Sequence, residues 1–158
     1  MSKFKIQEKI KDDQHILYLS GKIDEDSDFS IINLKQQKTI IFNLEGIIGI
    51  NSCGIREWIN LMKTIPADSM VYFVKCDRAI IDQANMIEGF FPANSFVKSF
   101  FIPYYCENCD EQSNILCERK NESDKTPTYT QTSACKNCKN EAEIDIIETK
   151  YFKFLRKN

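Results

Sequence analysis

Two Cys-x-x-Cys units, Cys106-Glu-Asn-Cys109 and Cys135-Lys-Asn-Cys138, constrain this chain more than any other feature. In such a unit the backbone turns so that both sulfurs face one point. Two units place four thiolates around a tetrahedral ion, with Zn–S distances near ~2.3 Å. The fold must therefore bring the units together and close residues 110–134 between them. That stretch is poorly equipped to close alone: from Asn108 to Ser133 the sizeable apolar residues are Ile115, Leu116 and Tyr129. So polar a segment buries too little surface to order itself. A metal is expected to organise it, and structural zinc supplies on the order of 10 kcal/mol of folding free energy.

The reading is one structural zinc ion on Cys106, Cys109, Cys135 and Cys138. Four thiolates also suit an iron–sulfur cluster, which stands as the alternative metal. A redox role is less apt, because a thioredoxin-like pair sits at a helix start after a strand. Cys117, an extra thiol without a Cys-x-x-Cys partner, is the second-choice ligand. A closed thiolate shell has no open position for water or substrate. The metal is thus expected to be structural, not hydrolytic.

Seven cysteines without a signal peptide read as ligands and free thiols in a reducing compartment. The opening MSKFKIQEKIKDD lacks the apolar core of a leader, and no run reaches the ~20 apolar residues of a span. The expectation is a cytoplasmic protein. A net charge of −2 gives no general attraction to polyanions.

Residues 1–104 alternate strand-like and helix-like segments, and hold most of the Ile, Leu, Phe and Val. Strands are predicted over His15–Ser20, ended by Gly21, over Thr39–Leu44, Met70–Cys76 and Ser95–Tyr105, with a weaker one over Phe4–Ile10. Pro103 is expected to interrupt the ladder of the last. Ile55, Trp58, Ile59 and Met62 repeat at helical spacing, as do Ile80, Ala84 and Ile87. A shorter helix is predicted over Asp28–Leu34. Strands alternating with helices imply a mainly parallel or mixed sheet covered by helices, an α/β domain. A small metal-bound subdomain is expected over residues 105–158.

The segment Ile50-Asn51-Ser52-Cys53-Gly54-Ile55 joins a strand to the most amphipathic helix. A helix start favours an anion such as a phosphate, so Ser52 is geometrically apt for phosphorylation. The plainer role is an N-cap played by Ser52 or Asn51. This segment, the element order and HILYLSGKID (His15–Asp24) resemble the STAS domain of bacterial anti-sigma factor antagonists, over residues 1–104. There an Asp-Ser-[Ser/Thr]-Gly-type motif opens the helix after a strand. The resemblance implies a partner surface around Asn51, Ser52, Cys53, Gly54 and Arg56. It also implies a partner protein, an anti-sigma factor or kinase-like protein, and phosphorylation of Ser52 as the switch in antagonist members. Asn51 stands where aspartate is usual and Cys53 where a second hydroxyl is common.

His15, the sole histidine, has no nucleophile at readable spacing. A His-based catalytic site has little support. Cys53 at a helix start is a minor nucleophile candidate, Cys76 reads as core, and Asp24, Glu25, Asp26 and Asp28 read as a solvated acidic turn. Trp58 is expected to face the sheet. The chain thus reads as a non-enzymatic regulatory interaction module. The alternative is nucleic-acid binding through a zinc ribbon, with Lys136, Lys139, Lys150, Lys153, Arg156 and Lys157 on phosphates.

Overall fold

The computed structural model describes residues 3–34, 38–121 and 123–156. Its first sheet has the order β1(Lys5–Lys11), β2(Gln14–Ile23), β3(Thr39–Ile50), β4(Met70–Val74), β5(Ser95–Val97). β1 pairs antiparallel with β2, while β2 through β5 run parallel. The helices α1(Ser52–Lys63) and α2(Arg78–Met86) connect β3 to β4 and β4 to β5. Both crossovers step the same way across the sheet. Right-handed parallel connections therefore place both helices on one face.

That face forms the core. Period-2 alternation points Leu17, Ile40, Phe42, Val71 and Phe73 inward, all fully buried. Trp58 packs among Phe42, Phe73 and Phe90 at centroid distances of 5.7, 5.9 and 5.5 Å. Its indole N–H donates to the Phe90 carbonyl at 2.8 Å, so burying its one polar atom leaves no donor unpaired. The expected inward Trp58 is found.

Several elements differ from the sequence reading. β2 continues through Gly21 to Ile23, because Gly21 takes φ +87° and passes the backbone of Lys3, where a Cβ would stand 2.3 Å from its carbonyl oxygen. No helix forms over Asp28–Leu34. Asp28 accepts from the Ser30 N–H, Asp24 accepts from the Asp26 N–H, and Ser27 Oγ accepts from the Asp24 N–H. These local side-chain bonds hold turns in competition with a helix, and Phe29 and Leu34 still reach the core.

The strand predicted over Ser95–Tyr105 is two strands. Lys98 separates β5 from β6(Ser99–Cys106), which opens a second sheet of order β7(Glu111–Glu118), β6, β9(Glu141–Ile144), β8(Thr132–Ala134). All its pairings are antiparallel. Pro103 does not stop β6. Its carbonyl accepts from the Asp145 N–H, just beyond the end of β9. A strand residue's N and C=O point to the same side, so the missing donor falls where pairing with β9 has ended.

The two sheets are joined by backbone bonds and share one core. The Cys76 N–H donates to the Ser99 carbonyl at 3.2 Å, and the Phe101 N–H donates to the Cys76 carbonyl at 2.9 Å. Cys76 is buried, as expected of a core thiol. After β9 the chain forms α3(Glu148–Tyr151) and a 3-10 turn over Phe152–Arg156. Tyr151, Phe152 and Phe154 pack on Phe100, and Asn85 of α2 donates to the Tyr151 carbonyl. No helix among the described residues is long and apolar enough to cross a membrane.

Candidate metal centre

Each Cys-x-x-Cys unit is the turn of a hairpin in the second sheet. Cys106 ends β6, and the Asp110 N–H closes the first turn on the Cys106 carbonyl at 2.8 Å. Cys135 follows β8, and the Lys139 N–H closes the second on the Cys135 carbonyl at 3.0 Å. Asp110 and Lys139, each directly after the second cysteine, take left-handed φ values of +60° and +68°. The repeated geometry turns both sulfurs of each unit the same way. Pairing of β6 with β9 then sets the two turns face to face.

The four ligand atoms of Cys106, Cys109, Cys135 and Cys138 lie within 4.8 Å of one another. Sγ separations are 3.5 Å for Cys106–Cys138 and 3.5 Å for Cys109–Cys135. A tetrahedron with ~2.3 Å metal–sulfur bonds has edges of about 3.8 Å. The residues fit, and they are close enough to hold a metal ion. Cys106 and Cys135 are buried, while Cys109 and Cys138 are half-buried.

The surroundings favour thiolates. Asn140 and Asn108 side-chain N–H groups donate to Cys138 Sγ at 3.4 and 3.5 Å, and with the Asn140 backbone they pull the thiol down to about 5. The Cys138 and Asn137 backbone N–H groups lower Cys135. An Asn137 side-chain donor lowers Cys109, but desolvation and the three neighbouring thiols push it up to about 11. Four sulfurs this close do not all ionise unless a cation sits among them. The set is thus chemically suited to a soft or borderline cation.

Cys117 lies elsewhere. It pairs with Phe100 at the far end of the β6–β7 ladder and is buried, donating to the Thr128 carbonyl at 3.8 Å. Burial pushes its thiol up to about 11. It is outside the metal-ligating group.

The second candidate region lies at the start of α1. Asn51 is the N-cap, its Oδ1 accepting from the Gly54 N–H at 2.8 Å. Its Nδ2 donates to Glu25 Oε2 at 2.8 Å. Ser52 is the first helical residue and is exposed, as is Arg56 one turn on. Cys53 is half-buried, and Gly54 is buried. His15 is buried and its Nε2 lies 2.9 Å from Glu8 Oε1, a contact between neighbouring strands.

The basic residues of the C-terminal part are dispersed. Lys136 Nζ donates to the Asn114 carbonyl and Lys139 Nζ to the Lys136 carbonyl. Lys150, Lys153 and Arg156 lie on the terminal helical segments, and Lys157 lies outside the described residues. Compared with protein-family models, curated proteins and solved structures, the chain gives no match.

Proposed function

We propose that this chain is a non-enzymatic regulatory interaction module, a STAS-like domain whose partner surface centres on Ser52, with a structural zinc clamping the second sheet. The observation that carries the reading is the division of labour at the start of α1. Asn51 takes the cap, so the exposed Ser52 hydroxyl is not needed to hold the helix. Gly54 lets the first turn of α1 lie against the end of β2. The antiparallel β1–β2 pair, the parallel strands that follow and the helix opened by Asn51-Ser52-Cys53-Gly54 agree with the resemblance. A phosphate on Ser52 adds about −1.5 to −2 charges. It would stand at a positive helix end, one turn from Arg56 and close to the Glu25–Asn51 contact. It would therefore alter the local field that a partner meets.

Zinc is the metal favoured by four cysteine ligands in two tight turns. When bound, it neutralises the thiolates and ties the two hairpin turns together, leaving no coordination position for a substrate. The residues do the rest: β6 and β9 fix the spacing, and Asn108 and Asn140 orient Cys138.

The test is recovery of partners on immobilised wild type, Ser52→Ala and Ser52→Asp proteins. Wild type and Ser52→Ala are expected to retain a partner that Ser52→Asp loses. Equal recovery on all three removes the switch, and recovery of nothing above a blank matrix removes the module.

A further inference from the structure

We propose that the outer edge of β1 takes up an extended segment of a partner protein, added as a further strand, whose side chains alternate between acidic and apolar. This goes beyond the partner surface at Ser52 and uses different residues.

The register shows which backbone groups the edge offers. The Asp13 and Ile23 carbonyls accept from the Thr39 and Asn51 N–H groups, so the odd-numbered residues of β2 bond toward β3. Alternation then turns Gln14, Ile16, Tyr18 and Ser20 toward β1, where they meet Lys11, Lys9, Gln7 and Lys5. The N–H and C=O groups of Ile6, Glu8 and Ile10 therefore point away from the sheet. β1 ends the strand order, and among the described residues no backbone bond reaches these groups.

The side chains of this edge are sorted by face. Lys5, Lys9 and Lys11 stand opposite Ser20, Ile16 and Gln14 on the face that carries no helix, and all three are exposed. Among the described residues none of the three is in an ion pair. Ile6, Glu8 and Ile10 lie on the helix face. There Ile6 packs on the core and Glu8 meets His15, but Ile10 is 62% exposed. A strand laid along the edge places its alternate side chains beside these two rows. Acidic groups on one face meet Lys5 and Lys9, and apolar groups on the other continue the row of Ile6 and Ile10. Lys11 contributes less, because Asp12 and Asp13 follow it in the turn.

A second copy of this chain is the wrong occupant. Facing residues of an antiparallel pair share a face, so a two-fold pairing of β1 with β1 joins odd to odd and even to even. Centred on Gln7 it sets Lys5 against Lys9, and on Glu8 it sets Lys5 against Lys11. Centred on Lys9 it sets that residue against itself, and on Ile10 it sets Lys9 against Lys11. Like charges directly opposite are destabilising. Lysines that defend an edge against its own kind account for this exclusion. They do not account for the uncovered Ile10 on the same edge. An acidic and apolar strand satisfies both rows together with the outward backbone groups, which is the way a peptide adds to a sheet edge.

The test is fluorescence anisotropy of a labelled peptide alternating glutamate and valine, matched to the seven residues of β1 and titrated with the full chain at low salt. The comparisons are a peptide of the same composition with its glutamates and valines in separate blocks, and one alternating lysine and valine. The alternating acidic peptide is expected to bind at least about 10-fold tighter than either, with affinity falling as salt rises. Lys5→Gln and Lys9→Gln are each expected to weaken it by up to about 5-fold. Ile10→Pro removes an N–H that β1 does not use toward β2, and is expected to weaken binding on the order of 10-fold. Circular dichroism confirms that the variants are folded. Hydrogen exchange followed by NMR locates the contact. The peptide is expected to slow the amides of Ile6, Glu8 and Ile10, while those of Gln7 and Lys9 are already slow without it. No binding of the alternating peptide overturns the proposal. So does equal affinity for the block peptide, which would mean charge attraction alone, or binding that leaves those three amides unchanged. Self-association of the free chain that protects the same amides also overturns it, in favour of a second copy. None of these outcomes depends on Ser52, so the two proposals fail separately.

Discussion

Gly54 lies directly against the carbonyl of Ile23: a Cβ at Gly54 would stand 2.2 Å from that oxygen and 2.6 Å from its carbon. The contact is backbone on backbone, so no side chain can swing aside. The same Ile23 carbonyl accepts the Asn51 N–H at 3.1 Å. The end of β2 and the start of α1 are thereby locked together, and this sets the height at which Ser52 is presented. Gly54→Ala must push the helix away from the sheet. The expected cost is about 2–3 kcal/mol by analogy with overpacked cores, read as a lowered denaturant midpoint. Gly49→Ala is the control, since its Cβ would meet only the Lys22 side chain at 3.9 Å. Equal stability of the two variants would show that the close approach is not maintained in solution.

Asn51 has two bonds that aspartate cannot both keep. Its oxygen caps Gly54, which a carboxylate also does well, but its Nδ2 donates to Glu25. That donor is the main reason Glu25 lies below the ordinary carboxylate range. Asn51→Asp would set two carboxylates face to face. The expected result is a lower melting temperature at pH 7, with the loss reversed by adding Glu25→Gln. Asn51→Ala instead removes the cap, at about 1 kcal/mol, and Glu25→Gln should not rescue it. Thermal melts of the single and double variants decide the point; additive effects of Asn51→Asp and Glu25→Gln would sink it.

The thiol geometry separates Cys117 from the other cysteines of the second sheet. Purified protein is expected to hold one metal per chain. Cys109→Ser and Cys135→Ser should lose it, and Cys117→Ser should keep it, as measured by elemental analysis. Chelation is expected to expose the 107–110 and 135–140 amides to hydrogen exchange first. The first sheet should keep its protection, since its core contacts do not involve the sulfurs. Metal retained at full occupancy in Cys109→Ser and Cys135→Ser would refute the assignment of ligands.

The four-cysteine cluster was legible because Cys-x-x-Cys spacing is local and its geometry is nearly independent of the fold. The strands β2, β3 and β4 and the helix carrying Trp58 were legible for a similar reason: their apolar periodicity is strong. The segment 111–118 was not. Of its inward residues Ser113, Ile115 and Cys117, only Ile115 is large and apolar, so the alternation gives little signal. Yet it pairs with β6 along the whole ladder from Ser99↔Glu118 to Cys106↔Glu111. Order there comes from a neighbouring strand as well as from any metal. The break at Lys98 is not legible because Ser95–Val97 and Ser99–Cys106 have the same strand-like composition. Only tertiary pairing assigns them to different sheets. The false helix over Asp28–Leu34 is the opposite case, in which Asp and Ser side chains outcompete a weak apolar period.

Tyr129 and Gln131 both donate to Glu148 Oε1, fastening the 128–131 segment to the start of α3. Tyr129 also packs on Phe152, with ring centroids 4.9 Å apart. The two donors, Tyr129 foremost, hold Glu148 below its ordinary value of 4.5, and the carboxylate in turn pushes Tyr129 up to about 12. A carboxylate lowered by folding contributes stability above its unfolded pKa. That stability fades as pH falls through 4.5 and the folded value below it. Because the carboxylate is close to solvent, the contribution is expected to be at most about 1 kcal/mol. Glu148→Gln should therefore be slightly less stable than wild type at pH 7. The gap should narrow as pH falls through 4.5 and further, as wild-type Glu148 becomes neutral as well. Tyr129→Phe should show the same convergence, since it removes the larger donor but keeps the ring contact with Phe152. Urea unfolding at pH 7, 5 and 3.5 reads the difference. A gap that stays constant with pH would mean that the carboxylate charge is not what fastens the segment.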